Sequence, residues 1–238
     1  MNELHTRRAV VTGGSRGLGL ALTRELVSHG WHVVIDSRDA AVLAAAVAGL
    51  PHPERVTAIV GDVADPIHRA TLVEAAGPRV DLLVNNASVL GAVPMPGLAT
   101  YPLDELEQAF AVNTVAPLRL VQLLLPALER TGGRVVNVSS DAAVSPYPGW
   151  GGYGASKAAL DLMTAVLAEE HGWADPSVRF YAFDPGDMAT ELASAAGEDL
   201  AGRPAPETVV PVLLRLVEED RPSGRYTADA LTPVGASR

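Results

Sequence analysis

The feature that most narrows what this chain can fold into is a regular alternation of two kinds of segment. Short apolar runs rich in valine are separated by longer stretches with apolar residues at helical spacing. The runs at 8–12 (RAVVT), 31–35, 55–60, 80–84 (VDLLV), 134–139 (RVVNVS) and 178–183 read as strands. The stretches 18–29, 40–50, 66–76, 103–130, 153–172 and 206–219 read as helices, the first closed by Gly30 and the second by Gly49 and Pro51. The strands are continuously apolar rather than alternating, as parallel strands covered on both faces are. Right-handed crossovers then put helices on both sides of one sheet. The expected fold is α/β, a doubly wound parallel sheet of six strands, with a seventh at 225–228. No repeat, low-complexity tract or linker divides the chain, so one domain spanning 1–238 is expected.

Composition removes several classes of function. With 48% hydrophobic and 19% charged residues the chain can bury a full core. The absence of cysteine excludes disulfides, thiolate nucleophiles and thiolate metal sites. A net charge of −10 and a pI of 5.0 argue against a nucleic-acid partner. No apolar run reaches the roughly 18–20 residues of a membrane helix. The polar start, 1–8, leads straight into a strand and does not read as a signal peptide. A soluble cytoplasmic protein with no membrane partner is the expectation. His5, His29, His32, His52, His68 and His171 show no metal-ligand spacing and sit near element ends, so no metal site is expected. Asp36, Asp39 and the Glu169/Glu170 pair read as ordinary solvated charges.

In doubly wound sheets ligands bind beyond the carboxyl ends of the strands. The loop after the first strand is Thr12-Gly13-Gly14-Ser15-Arg16-Gly17-Leu18-Gly19. Glycines there let backbone approach a pyrophosphate at a helix N-terminus, although turn chemistry alone also calls for glycine. Later strands end in Asp62-Val63, Asn85-Asn86-Ala87, Ser140 and Asp184-Pro185-Gly186, with Thr190 four residues past Gly186. Asn113 lies in the long fourth helix. Tyr153 and Lys157 are four apart, on one helix face, 13 residues after Ser140. Lys157 is also the one lysine among 18 basic residues.

This ordered set resembles the short, single-domain type of the short-chain dehydrogenase/reductase family, over nearly the whole chain to about Gly224. The resemblance implies a nicotinamide cofactor held by Gly13, Ser15, Arg16, Gly17, Leu18 and Gly19. Asp62 and Val63 would hold the adenine, and Asn86 and Ala87 would follow. Pro185, Gly186, Met188 and Thr190 would complete the cofactor site with Tyr153 and Lys157. It implies Ser140 as donor to the substrate oxygen, Tyr153 as acid/base and Asn113 as holder of a relay water. A tyrosine titrates near 10 and needs help; a nearby ammonium lowers it. Hydride would pass between nicotinamide and a small-molecule ketone, aldehyde or alcohol. Imine or enone reduction, epimerisation and a non-catalytic nucleotide-binding role are the alternatives.

Cofactor selectivity is set just after the second strand. Ser37 stands at the discriminating position, followed by Arg38, with Arg16 as a second cation. Guanidiniums suit a 2′-phosphate, so NADP(H) is expected over NAD(H); Asp36, one residue away, would act as an NAD-type carboxylate under a one-residue shift.

The chain departs from the family pattern at three places. Ser88 replaces glycine in the NNAG motif, Asp184 replaces asparagine, and the usual end near VDGG is absent. That last departure weakens the case for a tetramer and leaves a homodimer through the helices bearing Asn113 and Tyr153. The substrate pocket is expected among loops 88–102, 141–152 and 187–204, with Leu90, Met95, Tyr147, Trp150 and Met188. The last of these loops reads as a mobile lid.

Overall fold

The computed structural model describes residues 6–172, 178–219 and 221–232. His5 and the final stretch 233–238, both read in the sequence, lie outside the described residues. The strands are β1 (Arg8–Val11), β2 (His32–Ser37), β3 (Val56–Val60), β4 (Leu82–Asn85), β5 (Arg134–Val138), β6 (Arg179–Asp184) and β7 (Gly224–Thr227). They form one sheet in the order β3-β2-β1-β4-β5-β6-β7, and every pair is parallel. The expected doubly wound sheet is therefore present, with the seventh strand. The order reverses between β1 and β4, where the adjoining loops leave in opposite directions and open a crevice.

The helices are α1 (Gly17–Ser28), α2 (Ala40–Ala48), α3 (Pro66–Ala76), α4 (Leu103–Phe110), α5 (Ala116–Glu129), α6 (Gly151–Gly172), α7 (Glu191–Ala195), α8 (Val210–Glu218) and α9 (Ala228–Leu231). Two apolar layers hold them to the sheet. Leu22, Leu26, Leu213 and Leu216 pack on one face against Val11, Ile35, Val84 and Phe183. Leu72, Leu120, Leu124 and Leu128 pack on the other against Val10, Leu83 and Phe180.

The stretch read as one helix, 103–130, is interrupted by a π-helical turn, Ala111–Val115. Its cause is in the sequence. Pro117 has no N–H, so the Asn113 carbonyl lacks the donor that an α-helix would supply four residues on. Against the expectation from apolar runs, Leu103–Glu129 is long and apolar enough to cross a membrane by length and composition; 56% of its most apolar 18-residue window is buried inside the fold, as in a core helix.

The loop 187–204, read as a mobile lid, carries α7. Thr190 caps it, its Oγ1 accepting from Ala193 N at 3.2 Å. Arg203 pairs with Asp187 and Glu198 at the base of this loop.

Candidate active site

Three helix starts frame the crevice, and they differ in one respect. Asp39 caps α2, accepting from Ala41 N and Val42 N, and Asp65 caps α3, accepting from Ile67 N. The start of α1 has no side-chain cap. Its first N–H groups and the positive end of its dipole are thus open to an anion. Gly17 adopts φ +52°, a left-handed conformation that glycine takes without a Cβ penalty. A Cβ on Gly19 would sit 2.4 Å from Gly13 O, so only glycine lets α1 start this close to the loop. Thr12 Oγ1 accepts from Asn86 N and Ala87 N, both at 3.0 Å, and Asn86 Nδ2 donates to Thr12 O and Gly13 O. These bonds tie the loop after β1 to the end of β4.

The cleft above has a volume of about 1310 Å³. Except for Gly19 and Asn113, every residue assigned from the sequence to catalysis or cofactor binding lines it. Gly19 serves the packing just described. Asn113 is fully buried behind the wall. Its Nδ2 donates to Val89 O and Ser156 Oγ, and its Oδ1 accepts from Val89 N and Ser88 Oγ. The side chain has no capacity left for a relay water, which leaves the main-chain carbonyl beside Pro117.

Asp36 is corrected most sharply. It is not solvated but 2% exposed. Its Oδ1 accepts from Gly13 N at 2.7 Å and its Oδ2 lies 2.9 Å from Nε2 of buried His68. His68 therefore stands inside the fold as the partner of a carboxylate 32 residues away. Ser37 is the residue that turns to the cleft, its Oγ 3.0 Å from Ser15 Oγ. Among the described residues Arg38 has no ion-pair partner and is exposed at the rim. Arg16 is not free: its guanidinium is held by Glu191 of α7. Asp62 lines the cleft and closes its own turn by accepting from Ala64 N.

Tyr153 projects from the first turn of α6 into an apolar cluster with Leu90 and Ala142, against which Met95, Trp150, Leu192 and Ala196 pack. Trp150 meets its ring edge-on at 5.6 Å. The expected pocket residue Tyr147 lines the cleft at its exposed rim, donating to Asp141 Oδ2. Burial pushes the Tyr153 phenol up to about 12; hydrogen bonds from Ser88 and Ser140 oppose that rise, and Asp184 and Asp141 add to it. Of the two serines the sequence offers, Ser139 is buried, while Ser140 lines the cleft and is the one that acts on the phenol's titration. Lys157 is 1% exposed, donates to Val138 O at 2.7 Å and stands 5.6 Å from the centre of the Tyr153 ring. Burial lowers it to about 8, against the pull of Asp161. The sequence reading had the ammonium lowering the phenol. Here desolvation is the largest influence on the phenol, and the net shift is upward, toward the neutral form.

The departure at 184 and the altered chain end belong together. Arg225 of β7 donates to Asp184 Oδ2 at 2.9 Å, to Asp161 Oδ2 at 3.0 Å and to Ser140 O at 3.0 Å. One guanidinium thus joins β6, α6 and the loop bearing Ser140. No signal in one sequence announces this pairing, because its members are 41 and 64 residues apart. Arg225→Ala leaves two largely buried carboxylates without their cation. We expect a loss of about 2 kcal/mol, below the 3–5 of a fully buried pair because Arg225 is partly exposed. Urea denaturation with an unchanged midpoint would refute it.

The comparisons with known proteins agree with this geometry. A family model described as short chain dehydrogenase matches residues 7–201. The short chain dehydrogenase penD of Penicillium thymicola is 36% identical over 177 residues, covering 70% of this chain and 64% of that protein. Mouse sepiapterin reductase is 34% identical over 205 residues, covering 79% of this chain and 77% of the reductase. A Shigella flexneri protein solved in complex with NADP superimposes with a TM-score of 0.83 at 25% identity, covering 96% of this chain and all of that one. By the family match, by identity over most of its length and by fold, the chain belongs to the short-chain dehydrogenase/reductase family of oxidoreductases.

Proposed function

We propose that this protein is an NADPH-dependent carbonyl reductase, reversibly an alcohol dehydrogenase, acting on a small-molecule ketone or aldehyde. The observation that carries the reading is the neutral, buried Tyr153 phenol at the floor of the cleft, beside Ser140 and over Lys157. The residues present fit a nicotinamide dinucleotide. The uncapped start of α1, with Gly13, Ser15, Gly17 and Leu18, would take the pyrophosphate. Asp62 and Val63 would flank the adenine, and Asn86, Ala87, Pro185, Gly186 and Thr190 would line the nicotinamide half. Met188 closes the same wall. When bound, the cofactor supplies the hydride.

The chain's own groups do the rest. Ser140 donates to the substrate oxygen and holds it at Tyr153. Tyr153 Oη gives its proton to that oxygen as negative charge builds there. A phenol held neutral at physiological pH is suited to the acid role, and so to reduction. Lys157 keeps a positive charge under the tyrosine that eases loss of the phenolic proton. Leu90, Trp150 and Leu192 exclude water around the phenol. Asn113 acts by fixing Ser88 and Val89, and through its main-chain carbonyl. A cytoplasmic enzyme in which one domain carries both sites fits these features. A homodimer through α4, α5 and α6 is supported by the exposed Leu103, Leu162 and Val166 on α4 and α6 and by Val115 in the π-helical turn before α5.

The preference for NADPH rests on Asp36 and Arg38. With both Asp36 oxygens engaged by Gly13 and His68, its carboxylate is withheld from the ribose. Ser37 and Arg38, which has no ion-pair partner among the described residues, line the cleft there instead. The NADP complex of the Shigella flexneri relative supports the same choice.

The test is oxidation of NADPH and of NADH over a panel of ketones, aldehydes and β-keto esters. A higher kcat/KM with NADPH is expected, and Arg38→Asp should shift the ratio toward NADH by about a hundredfold, since one charge-assisted contact is lost and one repulsion gained. A wild-type preference for NADH would overturn the cofactor assignment. No turnover of any carbonyl with either cofactor would overturn the enzyme assignment.

A further inference from the structure

We propose that Arg225 is a positioning residue for carbonyl reduction. Through the main-chain carbonyl of Ser140 it aims the serine hydroxyl at the substrate oxygen. Through Asp184 it fixes the distance from that hydroxyl to the wall at Pro185 and Gly186. The inference rests on the reading of Ser140 as donor to the substrate and adds a residue that acts through it.

The sheet releases this segment just before the serine. β5 ends at Val138, whose carbonyl accepts from Lys157 Nζ at 2.7 Å. Ser139 N then donates to Phe183 O at 2.7 Å, a last backbone bond to β6. Ser140 caps the short 3-10 turn Asp141–Ala143. Its carbonyl accepts from Ala143 N at 3.1 Å inside that turn and from Arg225 Nη2 at 3.0 Å. Among the described residues, Arg225 supplies the hydrogen bond that ties the Ser140 main chain to another element.

Two carboxylates on different elements fix the guanidinium itself. Its Nε donates to Asp161 Oδ2 at 3.0 Å, one turn past Lys157 on α6, and its Nη2 donates to Asp184 Oδ2 at 2.9 Å. The other oxygen of Asp184 accepts from Gly186 N at 3.0 Å and so closes the turn through Pro185. A carboxylate accepts at both oxygens, which lets Asp184 serve the turn and the guanidinium together. Asparagine, which the family pattern has here, carries one acceptor oxygen. With that oxygen on Gly186 N, its amide NH2 would meet the guanidinium donor to donor. Asp184 and Arg225 are therefore a matched pair, and the departure at 184 is what admits the arginine.

The consequence for catalysis follows from what the guanidinium joins. Ser140, Asp184, Pro185 and Gly186 line the cleft, and Arg225 does not, so it acts through them. Ser140 Oγ donates to Asp141 Oδ1 and accepts from Ala142 N. In the proposed mechanism it leaves these partners by rotating about its Cα–Cβ bond. Where the hydroxyl can then point is set by the main chain, which Arg225 holds. Arginine's planar fork has fixed donor directions, so it sets a distance between the two walls rather than merely balancing charge. A misplacement on the order of 1 Å at a reacting group costs about a hundredfold in rate.

The experiment follows reduction of whichever panel ketone reacts fastest, together with NADPH binding and urea denaturation, in four variants. Arg225→Ala is expected to lower kcat by about thirtyfold and to leave the Kd for NADPH within about threefold. Arg225→Ala combined with Asp184→Asn removes one of the unpaired carboxylates. It should recover much of the lost urea midpoint while kcat stays low, because Ser140 O still lacks its donor. Arg225→Lys keeps a cation between the carboxylates, which protects the fold, but one ammonium does not reproduce the fork, and kcat should remain about tenfold down. Wild-type kcat in Arg225→Ala or Arg225→Lys overturns the proposal. So does a kcat that recovers with the midpoint in the double variant, which would mark Arg225 as a support for the fold alone. Ser140→Ala separates the two readings. If it keeps full activity, the assignment of Ser140 fails and the proposal for Arg225 fails with it. If it is impaired while the Arg225 variants turn over as wild type, only the proposal for Arg225 fails.

Discussion

Tyr153→Phe is expected to lower kcat for ketone reduction by about three to four orders of magnitude, with NADPH affinity changed by less than a few fold. The substitution removes one oxygen and its proton and nothing else. The ring stays in the cluster formed by Leu90 and Ala142, and the edge contact with Trp150 is kept. Stability should hold or rise slightly, because a polar atom leaves an apolar site in a residue only 6% exposed. A drop in kcat without a drop in Tm therefore reports chemistry and not unfolding. The same buried phenol also bears on alkaline stability. Its titration is raised from 10.0 to about 12, so above pH 10 the unfolded chain ionises first and the fold loses stability. The phenylalanine variant should lack that part of the alkaline decline. Retention of wild-type kcat in Tyr153→Phe would remove this residue from the mechanism.

How much of this was legible in the sequence follows from the distance over which each interaction acts. Strands β1 to β6 and the helices against them announce themselves through local apolar patterning. Strand β7 was traceable from Arg225 to Ala228 because a tyrosine and a threonine stand there in an otherwise irregular end. The short helix α7 was missed. Its capping residue Thr190 had been assigned to the cofactor, and its five residues are too few for a helical period. The glycine loop, Ser140, Tyr153 and Lys157 come together as their spacing implied, since each sits at the end or start of an element whose position the sheet dictates. What the sequence withheld is pairing between elements. Asp36 looked like a surface charge because its partners, Gly13 and His68, belong to other segments. Arg225 was read into the seventh strand, but its partners Asp184 and Asp161 belong to other segments. The direction of a pKa is withheld for the same reason: burial is a property of the fold, and it is burial that raises Tyr153 and lowers Lys157.

Lys157→Met is expected to cost about a thousandfold in kcat and to leave the protein more stable at neutral pH. The two effects have one cause. The ammonium is carried at 1% exposure, and burial lowers it from 10.5 to about 8. Below pH 8 folded and unfolded chains both hold the proton, and the folded chain bears the full cost of about 3 kcal/mol. Between pH 8 and 10.5 the unfolded chain still holds the proton while the folded chain has shed it, so stability rises with pH across that window. Above pH 10 the tyrosine works the other way, which confines the clean rise to pH 8–10. Methionine fills much of the same volume without charge. Against the gain stands the Val138 carbonyl, which loses its 2.7 Å donor at a cost of about 1–2 kcal/mol. The net expectation is a gain of about 1–2 kcal/mol at pH 7 and a flat response between pH 8 and 10. Lys157→Arg should behave differently. A guanidinium cannot shed its proton and its fork is larger than the buried site, so both activity and stability should fall. The preference for arginine at all 17 other basic positions thus stops where the chemistry needs a compact, buried cation. Urea denaturation of wild type and both variants across pH 7–10 checks this. A wild type with no rise over that range, or a methionine variant less stable than wild type at pH 7, would show that the buried ammonium carries no such cost.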